Sequence, residues 1–210
     1  MKESQARYAC FNLMLPGMPE AGDSCWEKAS SIELCDVENG RRPFLRTEFR
    51  LLRDDSAQAF YLKITAEDDE IRSTYRMHNE TLYKQDVFEL FLADGGTLWQ
   101  YREIEVSPFD VCFTGSIIFK NETQRLLNMD WDIPGLITKT RFNRQEHQSI
   151  SLWKLPYAAF NQKPAPENAW RFNVFRVDHS RRGEELQAWQ STGARNFHVP
   201  ERFGWLDFIA

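Results

Sequence analysis

Residues Tyr83 to Pro108 read YKQDVFELFLADGGTLWQYREIEVSP, two β-strands joined by a turn at Gly95-Gly96. From Val87 to Leu92 apolar residues run almost unbroken around one carboxylate, Glu89, and from Trp99 to Val106 the pattern alternates. Strand periodicity of two places Phe88, Leu90 and Leu92 on one face with Glu89 opposite. The same rule places Arg102, Ile104 and Val106 on one face and Tyr101, Glu103 and Glu105 on the other. The hairpin therefore has a core face and a second face bearing carboxylates and aromatics. Burying a carboxylate in an apolar strand is costly unless it is paired or hydrogen-bonded. Glu89 is accordingly either a member of a buried ion pair or a site residue.

Outward from this hairpin, short strand patterns recur. Arg46–Arg53, Phe60–Thr65, Asp110–Phe119, Leu136–Arg144, Ser149–Phe160, Ala169–Asp178, Leu186–Trp189 and Arg202–Ile209 all read as strands, and Trp26–Leu34 as a turn leading into one. Turn signals separate them and no long amphipathic helix is present, so the fold class is all-β. A single β-sandwich of two antiparallel sheets with long loops, immunoglobulin-like or jelly-roll-like, spanning 1–210, is the natural solution at this length. Residues 1–24, broken by Pro16, Gly17, Pro19 and Gly22, are expected to be irregular, and 120–135 to be a loop.

The net charge of -5 over 210 residues, without a basic run, argues against a nucleic-acid partner. No apolar window is long enough to span a membrane. The N-terminus lacks a hydrophobic signal core, which points to the cytoplasm if the chain is complete. Cys10, Cys25, Cys35 and Cys112 form no CxxC pair, so scattered thiols are expected rather than a zinc site, although a bridge from Cys10 to Cys25 or Cys35 is conceivable. Aromatics are abundant, with 16 Phe, 7 Trp and 6 Tyr. They serve cores and flat polar ligands equally well.

No Gly-rich phosphate loop, GxSxG, HExxH or EF-hand spacing occurs. The acidic run Glu67–Glu70 lacks the alternation of a calcium loop and is expected to be solvated. Glu89 with Glu103 or Glu105 is the one carboxylate pairing that could serve as a glycosidase acid–base pair. Phe197 and His198 precede a Pro and the last strand. Phe197 is either an exposed loop ring suited to a flat ligand or a plug for the end of the sandwich.

Together these segments resemble the family 9 carbohydrate-binding modules and the wider group of sugar- and haem-binding sandwich domains. The resemblance is carried by Phe60-Tyr-Leu-Lys-Ile, Gln85-Asp-Val-Phe-Glu-Leu-Phe-Leu, Tyr101-Arg-Glu-Ile-Glu-Val-Ser-Pro, Trp170-Arg-Phe-Asn-Val-Phe-Arg-Val, Trp189-Gln-Ser-Thr and Phe197-His-Val-Pro-Glu-Arg-Phe-Gly-Trp-Leu, in that order over about 26–208. It implies non-catalytic binding of a mono- or oligosaccharide clamped between two rings. Those rings fall at Tyr83 and Phe197, where the best-known members have tryptophans. The strand glutamate matches Glu89, and a basic residue of the family corresponds to Glu105, a reversal of charge. The candidate binding set is Tyr83, Glu89, Tyr101, Glu103, Glu105, Asn173, Phe197 and His198, with no catalytic residue. The resemblance further implies a periplasmic or secreted location and a glycoside-processing enzyme as partner. Calcium is common in the family, with no ligand set matched here. A haem alternative needs Met77 or Met129 with a histidine, and a further alternative is an interaction domain whose sugar site has decayed.

Overall fold

The computed structural model describes residues 5–95, 97–121 and 124–209. Gly96, half of the expected Gly-Gly turn, lies outside the described residues. Among the described residues, fourteen strands form two sheets. The larger sheet holds β1 (Arg7–Phe11), β3 (Cys35–Asp36), β6 (Val87–Ala93), β7 (Gln100–Val106), β8 (Cys112–Phe119), β9 (Arg125–Asn128), β12 (Trp170–Ser180), β13 (Gly183–Ala188) and β14 (Gly204–Ile209). The smaller holds β2 (Ile32–Glu33), β4 (Thr47–Asp54), β5 (Ala59–Glu67), β10 (Ile137–Asn143) and β11 (Gln148–Pro156).

The two sheets pack face to face through the apolar positions that alternation selects. Phe88, Leu90 and Leu92 of β6, Ile104 and Val106 of β7 and Trp170, Phe172 and Val174 of β12 meet Phe49, Leu51, Phe60, Leu62, Ile64, Trp153 and Leu155 from the smaller sheet. The burial of some 25 side chains in this single cluster is the main driving force for the fold. The chain is thus an all-β sandwich, as its strand pattern indicates.

The outer face of the larger sheet carries a second cluster. Phe91 and Ala93, Tyr101, Phe113 and Ile117, and Phe175 and Val177 are covered there by Val37, Leu82, Phe197 and Phe203. The cover exists because β12 is longer than either of its neighbours on one edge. Its first residues pair with β14 and its later ones with β13. The connection from β13 to β14 therefore crosses the sheet and brings Phe197 and His198 over the face that bears Glu89.

Three local expectations are corrected. Residues 7–11 form a strand within the segment expected to be irregular, and β1 runs parallel to β14, so the larger sheet is not wholly antiparallel. Tyr8 and Cys10 alternate into the core, but the edge they pair with is at the other end of the chain. Residues 125–128 form an edge strand where a loop is expected; all four are exposed, so no burial pattern announces them. Asp68 within the acidic run is buried, accepts a hydrogen bond from Ser149 Oγ at 2.7 Å and lies 3.4 Å from Arg176. All four cysteines are free thiols, so neither Cys10–Cys25 nor Cys10–Cys35 is bridged.

Candidate functional site

Glu89 on β6 sits directly across from Glu105 on β7, and Phe91 across from Glu103. Because Glu103 and Glu105 are two residues apart on one strand, all three carboxylates project from the same face. One oxygen from each lies within 4.8 Å of the other two. Like charges directly opposite each other in a sheet are destabilising, and these are also out of water: Glu89 and Glu105 are each 1% exposed and Glu103 is 6% exposed.

The carboxylates form the floor of a cavity of about 560 Å³, a size typical of small-molecule sites. Tyr83 and Phe197 line it, with His198, Arg125 and Arg195. Tyr83 lies in a single 3-10 turn, Leu82–Lys84, whose Leu82 is fully buried in the outer cluster. Anchoring the turn by Leu82 leaves the Tyr83 ring half exposed at the rim. Phe197 comes from the opposite side, on the connection between β13 and β14. That connection is pinned at its start, where Thr192 N–H and Gly193 N–H donate to the Val37 carbonyl at 2.9 and 3.0 Å.

Six of the eight residues singled out in the sequence line this cavity: Tyr83, Glu89, Glu103, Glu105, Phe197 and His198. Two do not, and each has a different task. Asn173 shares the outer face but is fully buried, and its amide donates to Gln190 O and accepts from Gln190 N–H, both at 2.9 Å. It fastens the start of the crossing connection instead of facing a ligand. Tyr101 is fully buried beneath the site, and its hydroxyl shares a 2.7 Å hydrogen bond with His198 Nδ1. It positions His198, whose ring also packs 5.1 Å from Phe91. Phe197 is not an exposed loop ring either. It is 9% exposed and stacked on Phe175 with centroids 4.3 Å apart and planes at 12°. The plug reading of Phe197 thus holds, and the residue also lines the cavity.

Sequence reasoning missed Asn79, Thr81, Arg125 and Arg195 as lining residues. Asn79 and Thr81 alternate with Tyr83 just ahead of the hairpin, a legible signal. Asn79 adopts a left-handed φ of 63° and accepts from Thr114 N–H at 2.9 Å, tying the rim to β8. Arg125 is on the unannounced edge strand. Arg195 pairs with Glu184 and, at 3.7 Å, with Glu38. Nothing local marks either arginine.

The electrostatics follow from burial. Desolvation pushes the Glu89 carboxyl well above the ordinary range, and the charges of Glu105 and Glu103 push it further. Glu105 is raised for the same reasons, by burial first and Glu103 second. Glu103 is pushed up to about 7, mainly by desolvation, with the Glu105 hydrogen bond first and the Arg125 charge second pulling it back. His198 is pushed down to about 3, by burial first and the Arg125 charge second, so its ring is neutral at physiological pH. A carboxyl raised in the folded state keeps its proton where the unfolded chain has already lost it. Stability is therefore fully present below the unfolded value and falls as pH rises through the folded one. For Glu103 that window runs from 4.5 to about 7 and is worth on the order of 3 kcal/mol. Urea unfolding at pH 5 and pH 8 is expected to show a smaller pH loss in Glu103→Gln than in the parent. An unchanged difference between the two pH values would refute the assignment of this charge.

The model of the carbohydrate family 9 binding domain-like family matches residues 20–209. No curated protein sequence matches the chain. Among solved structures, a putative carbohydrate-binding protein from Bacteroides uniformis superposes with a TM-score of 0.75 at 16% identity, covering 98% of this chain and 100% of its own. A family 9 carbohydrate-binding module from Caldicellulosiruptor kristjanssonii in complex with cellotriose gives 0.69 at 15% identity, covering 97% and 93%. A structure of such a module from the same organism in complex with glucose gives 0.69 at 16%, covering 98% and 96%. At these identities the structural likeness speaks for the fold, while the family match extends over both rings and the whole carboxylate floor. The chain belongs to the carbohydrate family 9 binding domain-like family.

Proposed function

We propose that the protein binds a mono- or oligosaccharide without chemistry upon it, holding a sugar ring between Tyr83 and Phe197 above Glu89, Glu103 and Glu105. The observation that carries this reading is the convergence of two rings, one from the turn ahead of β6 and one from the crossing connection, on one cavity floored by three carboxyls. A sugar presents CH faces that pack on aromatic rings and hydroxyls that donate to carboxylates. The two similar structures described with cellotriose and glucose support the same ligand class. The cavity adjoins a second hollow of about 700 Å³ that shares Arg125, Asn196 and His198, which favours a ligand longer than one unit.

The hydrolytic alternative is weaker on electrostatics. An acid–base or nucleophile pair flanks a scissile bond with carboxyl groups about 5–9.5 Å apart, one of them ionised. Here each of the three carboxyls is pushed toward its protonated form, by burial first, so none is favoured as the ionised partner.

Calorimetric titration with glucose and cellotriose tests the proposal. Tyr83→Ala removes a half-exposed ring and is expected to leave the unfolding midpoint unchanged while weakening binding at least tenfold, about 1.4 kcal/mol. Phe197→Leu keeps most of the apolar volume against Phe175 and is expected to weaken binding similarly. Binding at parent affinity in both folded variants would sink the clamp.

A further inference from the structure

Beside the carboxyl-floored cavity, the second hollow of about 700 Å³ is lined by Phe119, Lys120, Gln124, Arg125, Asn196 and His198. Arg125, Asn196 and His198 line both, so the two hollows form one trough on the outer face of the larger sheet. The chemistry of the second hollow differs from that of the floor. Asn196 Oδ1 accepts from His198 N–H at 3.1 Å, and Gln124 Oε1 accepts from Asn121 Nδ2 at 3.1 Å. Each amide therefore has its oxygen engaged and its NH2 group left to donate. Lys120 and Arg125 are both exposed. The Arg125 charge is felt at Glu103, but among the described residues neither cation forms an ion pair. Burial keeps the His198 ring neutral, and its Nδ1 is engaged by the Tyr101 hydroxyl. Among the described residues, no Asp or Glu lines this hollow. A wall of donors with two positive charges selects an anion.

Cross-strand pairing adds a surface for a sugar. Phe119 of β8 lies directly opposite Arg125 of β9. Residues so paired share a sheet face, which places the ring and the guanidinium side by side. The Phe119 ring is braced by Trp99 at 6.5 Å and Tyr101 at 6.1 Å. A pyranose packed on that ring by its CH face extends its C6 substituent past the ring edge, where the cations stand.

We propose that the second hollow is a subsite for an acidic sugar unit, its carboxylate held by Arg125 and Lys120, so that the ligand of the trough is an oligosaccharide containing uronic acid. The proposal rests on the sugar-binding reading and names the substrate class for it. A planar carboxylate accepts two parallel bonds from one guanidinium, and the Lys120 ammonium adds a second charge. The first cavity sets no such bias, because the Arg195 charge is answered by Glu184 and Glu38. The chain as a whole carries a net charge of -5 and repels an anion at a distance. A preference for an acid over its neutral counterpart must therefore arise locally, at these two cations.

The test is calorimetric titration of the full chain at pH 6, below the Glu103 value of about 7, with two matched probes. One is cellotriose, and the other is cellotriuronic acid, the same trisaccharide with C6 of each unit oxidised to a carboxylate. An exposed ion pair is worth up to about fivefold in affinity, so two cations are expected to favour the acid by about tenfold at low salt. Salt screens exposed pairs, so that advantage should shrink to about twofold in roughly 0.5 M sodium chloride, while cellotriose affinity changes little. Arg125→Gln and Lys120→Gln should each cut the ratio of the two affinities by about threefold, and the double variant should remove it. Both side chains are exposed, so thermal unfolding of the variants should match the parent. Cellotriose bound as tightly as the acid, or more tightly, overturns the acidic subsite and leaves the sugar-binding reading standing. A preference for the acid that survives the double substitution places the carboxylate elsewhere and overturns the subsite equally. No binding of either trisaccharide ends the sugar-binding reading and this inference with it.

Discussion

Replacing Arg176 with alanine is expected to destabilise the protein by about 3–5 kcal/mol, the range for removing one partner of a buried ion pair. Arg176 lies on β12 with its side chain 2% exposed at the end of the interface between the sheets. Its guanidinium donates to the Glu67 carbonyl at 2.8 Å and to Thr47 Oγ1 at 3.1 Å, both on the smaller sheet. It also meets Asp178 and lies 3.4 Å from Asp68. Burial pushes the Asp178 carboxyl up to about 7 and raises that of Asp68, even against the pull of Arg176. Without that cation both acids lose their counter-charge inside the fold. The loss should therefore be larger at pH 8, where the unfolded chain is ionised, than at pH 5, where protonation relieves the site. Against a total stability of about 5–15 kcal/mol this is a large fraction, and the midpoint should fall by about 10 °C at neutral pH. Urea unfolding at the two pH values checks it. A cost below about 1 kcal/mol, or one that is the same at both, would mean the acids are satisfied by other means.

Gly204→Ala is the second large effect. A Cβ at this first residue of β14 would lie 2.3 Å from Trp189 Cη2, 2.4 Å from Trp189 Cζ3 and 3.0 Å from the Ala6 carbonyl oxygen. Trp189 cannot swing aside. Its ring is packed 4.5 Å from Phe172, 5.9 Å from Phe49 and 6.4 Å from Tyr8 in the central core. Overpacking a filled core typically costs about 1–3 kcal/mol, and a clash with an indole held on several sides belongs at the upper end, about 3 kcal/mol. The strand pushed outward carries the end of the crossing connection, so sugar affinity should fall along with stability. Thermal unfolding and a cellotriose titration of the same variant check both, and a midpoint within a degree of the parent would contradict the packing argument.

The hairpin Tyr83–Pro108 was legible because its information is local. A period of two decides which side chains share a face whatever the rest of the chain does. That is why the sequence alone places Glu89, Glu103 and Glu105 together, and Phe88, Leu90 and Leu92 opposite them. Turn residues and β-rich segments likewise marked most strands and the all-β class. The short edge strand at 125–128 escaped because an exposed strand has no burial period to read. The strand at 7–11 escaped because the edge that stabilises it is at the other end of the chain.

The roles of Asn173 and Phe197 show where sequence reading stops. Both have residue types suited to a ligand, and periodicity puts Asn173 on the correct face. Only packing reveals that Asn173 is consumed by the Gln190 backbone and that Phe197 lies flat on Phe175. The sequence by itself determined the all-β class, the alternation of the central hairpin and the chemistry of the floor, since each depends on neighbours a few residues apart. The tertiary structure decided the rest: the fork of β12 between β13 and β14, the loop drawn across the sheet, and the closing of the carboxylates away from water. Those depend on which distant segments touch, and strand periodicity carries no record of that.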